Sequence, residues 1–361
     1  MYPGPTSIRS QQSMGTILMI DSKAMRATMI LGAVILQAPS AMGQSAEDFY
    51  KGKTIHLQIG SGVGGGYDII GRLYSRYIGK YIAGQPIVSP QNVPGGGSLA
   101  LANYFANVSP RDGSVFGIFN TGMVLTPLLT PSVVKFDPRK FGVIGSPARE
   151  AHVLIAWHTA PIKGIDDAYN NEIISAATAP GGAPFDYPLL TNQLLGTKFK
   201  VVNGYRSTHE SRLAMERGEV HAIAGHAWAS VKADYADDIA NKRINVIAAF
   251  GMRKHPDLID VPLFPLGISD ADRQLFNLMY SRQVTGRPFM TPPDVPKERL
   301  AALRLAFERT AKDQAFLMEA EKFNVDIDPV YFEELEGLIK EVYATPKPVI
   351  ERIQKLLSSG K

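Results

Sequence analysis

Two glycine-rich turns carry the residues best suited to hold a ligand: Gly60-Ser-Gly-Val-Gly-Gly-Gly-Tyr-Asp68 and Asn92-Val-Pro-Gly-Gly-Gly-Ser98. Each follows a short apolar run and precedes a stretch with helical spacing. Turns of this kind aim bare backbone N–H groups at one point, so an anion is held without a side-chain charge. The candidate ligand-binding residues are therefore Gly64, Gly65, Gly66, Tyr67 and Asp68 in the first turn, and Asn92, Gly95, Gly96, Gly97 and Ser98 in the second. Asp68 would repel an anion that it faced, so its carboxylate is expected to cap the following helix by accepting helix-end N–H groups. Tyr67 is expected to cover the apolar part of the ligand.

Other chemistries find less support. Gly60, Gly62 and Gly65 fit the G-x-G-x-x-G fingerprint of dinucleotide sites, but that fingerprint wants an acid about 20 residues on. The corresponding stretch, 87–91, is Ile-Val-Ser-Pro-Gln. There is no cysteine and no serine flanked as in G-x-S-x-G, and the seven histidines show no metal-binding spacing. Neither catalytic nor metal-ligating residues are expected, nor a cofactor, so the chain reads as a binding protein and not an enzyme.

The elements that must position these turns alternate. Strands are expected over 53–60, 87–89 and 115–119, with helices over 69–82 and 99–106, as in a parallel α/β sheet. Residues 136–147, punctuated by Pro138, Gly142, Gly145 and Pro147, read as a crossover. A second set follows: strands over 153–157, 172–177, 199–202, 220–225 and 244–250, helices over 185–195 and 209–217, and a third glycine turn at 179–184. The proline-rich stretch 261–267 reads as a return crossover, 295–323 as long helices, and 330–357 as a helical tail broken at Pro346 and Pro348. Two connecting segments make a hinge, and a ligand sits in the cleft between the lobes so joined. The expected division is 44–147 for the first lobe, 148–262 for the second and 263–361 for the return to the first.

Composition bounds the setting. Residues 27–38 form an apolar core after Lys23 and Arg26, and Ala41 and Gly43 suit a signal peptidase, so export with cleavage after Gly43 is expected. Met14, Met19 and Met25 are alternative starts, because the polar residues upstream are unlike a usual signal. Formal charge is +4 with acids and bases interspersed, which favours neither nucleic acid nor a membrane surface. A soluble, exported, monomeric protein is expected.

Several motifs fall together in one order. Phe49-Tyr-Lys-Gly-Lys53 precedes the first turn, Gln91-Asn-Val-Pro-Gly-Gly-Gly-Ser98 forms the second, and Pro110-Arg-Asp-Gly-Ser114 follows. Leu195-Gly-Thr-Lys-Phe199, Gly204-Tyr-Arg206 and Arg217-Gly-Glu-Val220 come later. In this the chain resembles the periplasmic receptors of the tripartite tricarboxylate transporters, the Bug or TctC-type family, over nearly all of its mature length. The resemblance implies a two-lobed periplasmic binding protein fold of type II, the Venus-flytrap arrangement, in the α/β class. It also implies a ligand carboxylate held by backbone amides and bridging water, with Asn120 and Thr121 lining the same wall.

In the second lobe, Ala179-Pro180-Gly181-Gly182 stands where many relatives carry a serine- and glycine-rich loop. His221 stands where an acid is common, with His226 and Trp228 nearby. Candidates there are Pro180, Gly181 and Gly182, then Tyr205, Arg206 and Ser207, and Trp228. Arg206 reads equally as a partner for a second carboxylate and as a solvated arginine. Ser207 and Thr208 begin the next helix and can cap it, donate to the ligand, or both, and Trp228 can stack on a ligand or belong to the core. The expected function is delivery of a small organic carboxylate, whether di- or tricarboxylate or aromatic acid, to integral membrane transporter subunits. Presentation of the solute to a sensor kinase, or an exported NAD-dependent enzyme, are the alternatives.

Overall fold

The computed structural model describes residues 44–251, 254–265 and 268–358. The export signal read at 27–38, the cleavage point after Gly43 and the end of the 261–267 stretch lie outside the described residues. In β1 (Thr54–Ile59) the alternating Ile55, Leu57 and Ile59 are fully buried, as a half-buried strand requires. Gly65 is the N-cap of α1 (Gly66–Tyr77), which turns Ile70, Leu73 and Tyr74 inward. Tyr74 stacks on Phe307 with 5.2 Å between ring centroids and meets Phe316 edge-on. Each such burial contributes about 1.5–3 kcal/mol. β2 (Ile87–Asn92), α2 (Leu99–Asn107) and β3 (Val115–Ile118) continue the alternation.

Residues 136–147 contain a strand, β4 (Phe141–Ser146), where a crossover was expected. Its glycines are not breakers here, because neighbours press against them. A Cβ at Gly142 would lie 2.3 Å from Thr291 Oγ1, and one at Gly145 2.6 Å from the Phe307 ring.

The chain then builds a second sheet from β5 (His152–Trp157), β6 (Ile173–Ala177), α3 (Ala183–Leu195), β7 (Phe199–Asn203), α4 (Thr208–Glu216), β8 (Ala222–Ala227), α5 (Trp228–Asp234), β9 (Ile244–Phe250) and β10 (Leu263–Phe264). Because β10 pairs with β9, the second sheet extends past residue 262. A helix with no counterpart in the sequence reading, α6 (Asp270–Thr285), leads back; Ser269 caps it by accepting from Asp272 N–H. Then come β11 (Phe289–Pro293), α7 (Lys297–Ala311), α8 (Gln314–Lys322), β12 (Val330–Tyr331), α9 (Phe332–Tyr343) and α10 (Lys347–Ser358). Pro348 lies inside the first turn of α10, so the tail is broken once and not twice.

The first sheet has the order β12-β4-β11-β3-β1-β2 and the second β10-β9-β5-β8-β6-β7. Both are mixed, not parallel as expected: β11 runs against β3 and β4, and β5 runs against β8 and β9. The reason is where the chain crosses. The strands β1, β3, β6 and β8 end at the gap between the lobes, so a strand entering from the other lobe starts at that gap and runs the opposite way.

Candidate functional site

A cavity of about 480 Å³ lies between the two lobes, at the carboxyl ends of β1, β3, β6, β7 and β8. Strand ends are where open α/β sheets receive ligands, because loops there change freely while the sheet stays fixed.

The first-lobe wall is made by Ser61, Tyr67, residues 95–98, Asn120 and Thr121. Gly96, Gly97 and Ser98 are three consecutive left-handed residues, with φ of 55°, 62° and 75°. They form a single turn in front of α2, and the N–H groups of these three have no hydrogen-bond partner among the described residues. Ser98 accepts this conformation because its hydroxyl is fixed: Oγ donates to Gly60 O at 2.8 Å and accepts from Asn120 N–H at 2.9 Å. The two glycine loops and the loop after β3 are thereby tied through one buried atom. Tyr67 Oη accepts from Thr121 N–H at 3.1 Å, and the Arg287 guanidinium lies over its ring at 5.0 Å.

Asp68 and Asn92 lie behind this wall. The Asp68 carboxylate accepts from Gly64 N–H, Arg72 Nε and Asn92 Nδ2 at 3.0, 2.8 and 2.8 Å. It therefore caps the loop and pairs with a neighbouring cation, and does not take the helix-end amides as expected. Asn92 also donates to Ser61 O, which joins the second turn to the first. Gly64, Gly65 and Gly66 do not line the cavity; they meet the second lobe. Built Cβ atoms at these three would lie 3.6 Å from the His209 ring, 3.0 Å from Thr208 Oγ1 and 2.1 Å from Ser230 Oγ. Gly62 N–H donates across the gap to Arg206 O at 3.3 Å.

On the second-lobe wall, Pro180, Tyr205 and Arg206 line the cavity. Arg206 is exposed at the mouth, and its guanidinium has no ion pair among the described residues. Gly181 and Gly182 stand back from it. Gly181 N–H donates to Asp186 and its carbonyl accepts from buried Arg282, while Gly182 is the N-cap of α3. Ser207 caps α4, its Oγ accepting from Glu210 N–H. Trp228 is a core residue: it is buried, lies outside the cavity lining, and its Nε1 donates to Asp257 at 3.0 Å. His221 Nδ1 accepts from Ile174 N–H and supports the sheet.

Sequence reasoning missed His152, Thr178, Asn203 and Ser230 on this wall, noted His226 only as a neighbour of His221, and read Thr208 as a residue able to cap α4 or donate to the ligand. The signal was position: His152 begins a strand, Asn203 ends one, Thr178 and His226 lie one residue from a strand end, and Ser230 is in the first turn of a helix beside the gap. Behind them two buried ion pairs fix the junction. Arg287 pairs with Glu150 and donates to Gly66 O and Ser230 Oγ, so it touches both lobes from the segment that joins them. Burial pushes the Glu150 carboxyl up, and Arg287 pulls it back. Arg282 pairs with Asp186 at 2.9 Å.

The chain is similar in structure to the periplasmic binding protein BugD, with a TM-score of 0.67 and 16% identity over 86% of this chain and 98% of that one. It is similar also to MatC from Rhodopseudomonas palustris with bound malate (0.63, 17%, 84% and 99%). A third likeness is to an R. palustris protein with adipate (0.65, 16%, 85% and 98%). The likeness is one of fold: two α/β lobes facing each other across a cleft. No family model matches the chain, and no curated protein sequence matches it.

Proposed function

We propose that the chain is an extracytoplasmic solute receptor that binds a small organic carboxylate and delivers it to a membrane transporter of the tripartite tricarboxylate type, as a member of the Bug or TctC-type family. The observation that carries this reading is the left-handed turn at residues 96–98, whose three unpartnered amides stand at the wall of the cavity between the lobes. A turn of backbone N–H groups at a helix start favours an anion, and two negative oxygens on one carbon satisfy two such donors at once. Among the described residues, the cavity lining contains no Asp or Glu to oppose it. That two similar folds were solved with malate and adipate, both carboxylates, supports the same class of ligand.

Binding and closure are one event in this scheme. A solute touching both walls favours the apposed lobes, and about 5.5 kcal/mol of difference moves the balance from 1:99 to 99:1. The test is a thermal-shift screen of the mature chain against carboxylates, with NAD and divalent metals included. A solute at 100 times its dissociation constant stabilises the fold by about 2.7 kcal/mol. Stabilisation by one or more carboxylates is the expected result. A response to NAD alone would overturn the reading.

A further inference from the structure

The first-lobe wall carries a side-chain donor that is fixed in place and open to the cavity. We propose that Asn120 is a specificity-determining residue that selects 2-oxo and 2-hydroxy acids, its side-chain amide donating to the oxygen on carbon 2, and that it disfavours 2-amino acids. The proposal rests on the carboxylate-receptor reading and deepens it by naming a class of acid.

Asn120 stands two residues beyond β3 and is held at three points. Its N–H donates to Ser98 Oγ at 2.9 Å, its carbonyl accepts from Met123 N–H at 3.0 Å, and its Oδ1 accepts from Gly122 N–H at 2.9 Å. The last bond decides which way the amide faces, since only the oxygen can accept from an N–H. Nδ2 has no hydrogen-bond partner among the described residues and is not one of the polar atoms sealed from solvent. It is therefore open to a solute in the cavity that Asn120 lines. With the lobes apposed the loop has no room to swing this donor aside, because a Cβ at Gly122 would lie 1.7 Å from Gly181 O.

Ser98 ties the donor to the anion site. It is the last residue of the left-handed amide turn, and its Oγ is the atom that takes the Asn120 N–H. The first atom beyond a carboxylate held on the turn is carbon 2, so a donor beside the turn addresses that carbon's substituent. An oxo or hydroxyl oxygen accepts from Nδ2, whereas a methylene leaves the donor unmet. An ammonium offers only N–H groups, meets a donor with a donor, and finds no Asp or Glu in the cavity lining among the described residues. Ser61, whose hydroxyl also lacks a partner among the described residues, lines the same wall; it can donate or accept and so does not discriminate.

The experiment titrates three sets of acids calorimetrically, based on pentanoate, glutarate and phenylacetate. Within a set the acids differ only at carbon 2, which carries no substituent, hydroxyl, oxo or ammonium, with both enantiomers of the hydroxy and amino acids. In whichever set binds, the wild type is expected to hold the 2-oxo acid or one 2-hydroxy acid about threefold to tenfold more tightly than the unsubstituted acid, and the amino acid more weakly. Asn120→Asp keeps an oxygen for Gly122 N–H but presents an acceptor where Nδ2 stood. It is expected to weaken every acid, because it adds a negative charge, yet to raise the amino-to-hydroxy affinity ratio about tenfold or more. Asn120→Ser, whose hydroxyl can still accept from Gly122 N–H, is expected to lose the preference for oxygen. Equal affinity for the unsubstituted and oxygenated acids in the wild type overturns the assignment, as does tighter binding of the amino acid. An amino-to-hydroxy ratio unchanged in Asn120→Asp overturns it too. Should Asn120→Asp not fold or bind no acid measurably, an undiminished preference for oxygen in Asn120→Ser does so. If the thermal-shift screen finds a carboxylate but no oxygenated acid of any set binds, the selection is again refuted. Silence of the three sets and of the screen removes instead the carboxylate reading on which the selection depends.

Discussion

Replacing Gly65 separates folding from closure. Gly65 is the N-cap of α1 with φ −93° and ψ 168°, a conformation open to any L-residue. Asparagine is a better N-cap than glycine by a few tenths of a kcal/mol, so Gly65→Asn should leave the unliganded melting temperature equal or slightly raised. With the lobes apposed, however, a Cβ at this position stands 3.0 Å from Thr208 Oγ1 and 3.5 Å from Ser207 Cβ. The rest of the asparagine side chain has to enter the first turn of α4. Overpacking of this kind costs about 1–3 kcal/mol, and only in the closed arrangement. Because apparent affinity scales with the closed fraction, the dissociation constant should rise about 5- to 150-fold. Gly65→Ala, which asks Thr208 to move by a few tenths of an ångström, should weaken binding by less than about fivefold. Calorimetric titration with a carboxylate found by the thermal-shift screen reads the affinity, and small-angle scattering with and without that solute reads the closure. Wild-type affinity in Gly65→Asn would refute the idea that closing the lobes brings α1 against α4.

Gly96→Val should abolish carboxylate binding in the same titration, because a β-branched residue at φ 55° is strained and would distort the amide turn; unchanged affinity would remove the turn from the mechanism. Ser98→Ala should destabilise the fold by about 1–3 kcal/mol, read by urea unfolding, since Gly60 O and Asn120 N–H lose their shared partner. Arg206→Ala should weaken a dicarboxylate more than a monocarboxylate of equal length, and equal losses would make it a solvated arginine. Stability should also fall on acidification. Burial holds His152 and His226 well below the usual imidazole range, His226 at about 3. Between about pH 6.5 and that value the unfolded chain takes up protons that the folded chain refuses, so unfolding gains at most about 2.7 kcal/mol per pH unit from the pair. Chemical unfolding at pH 7 and pH 5.5 checks this, and a level profile would contradict neutral burial of both rings.

The strands and helices around the glycine turns were legible because their cause is local. Ile55, Leu57 and Ile59 alternate, and Ile70, Leu73 and Tyr74 recur at helical spacing, whatever else the chain does. The second glycine turn was legible as a ligand-binding candidate for the same reason, since a run of three glycines permits the positive φ that the amide turn requires. Strand β11 was not legible, because its Phe-Met-Thr-Pro-Pro run carries the prolines that argue against a strand; only its seat between β3 and β4 makes it one. Nor could the sequence say which glycines meet a ligand and which meet the other lobe. Gly65 and Gly96 look alike as residues, yet one faces Thr208 across the gap and the other shapes the cavity wall. Arg287 is the extreme case: its partners Glu150, Gly66 and Ser230 come from segments distant in sequence and from both lobes. Local backbone preference wrote the elements into the chain, whereas the site is a meeting of strand ends from two sheets, which only the folded arrangement brings together.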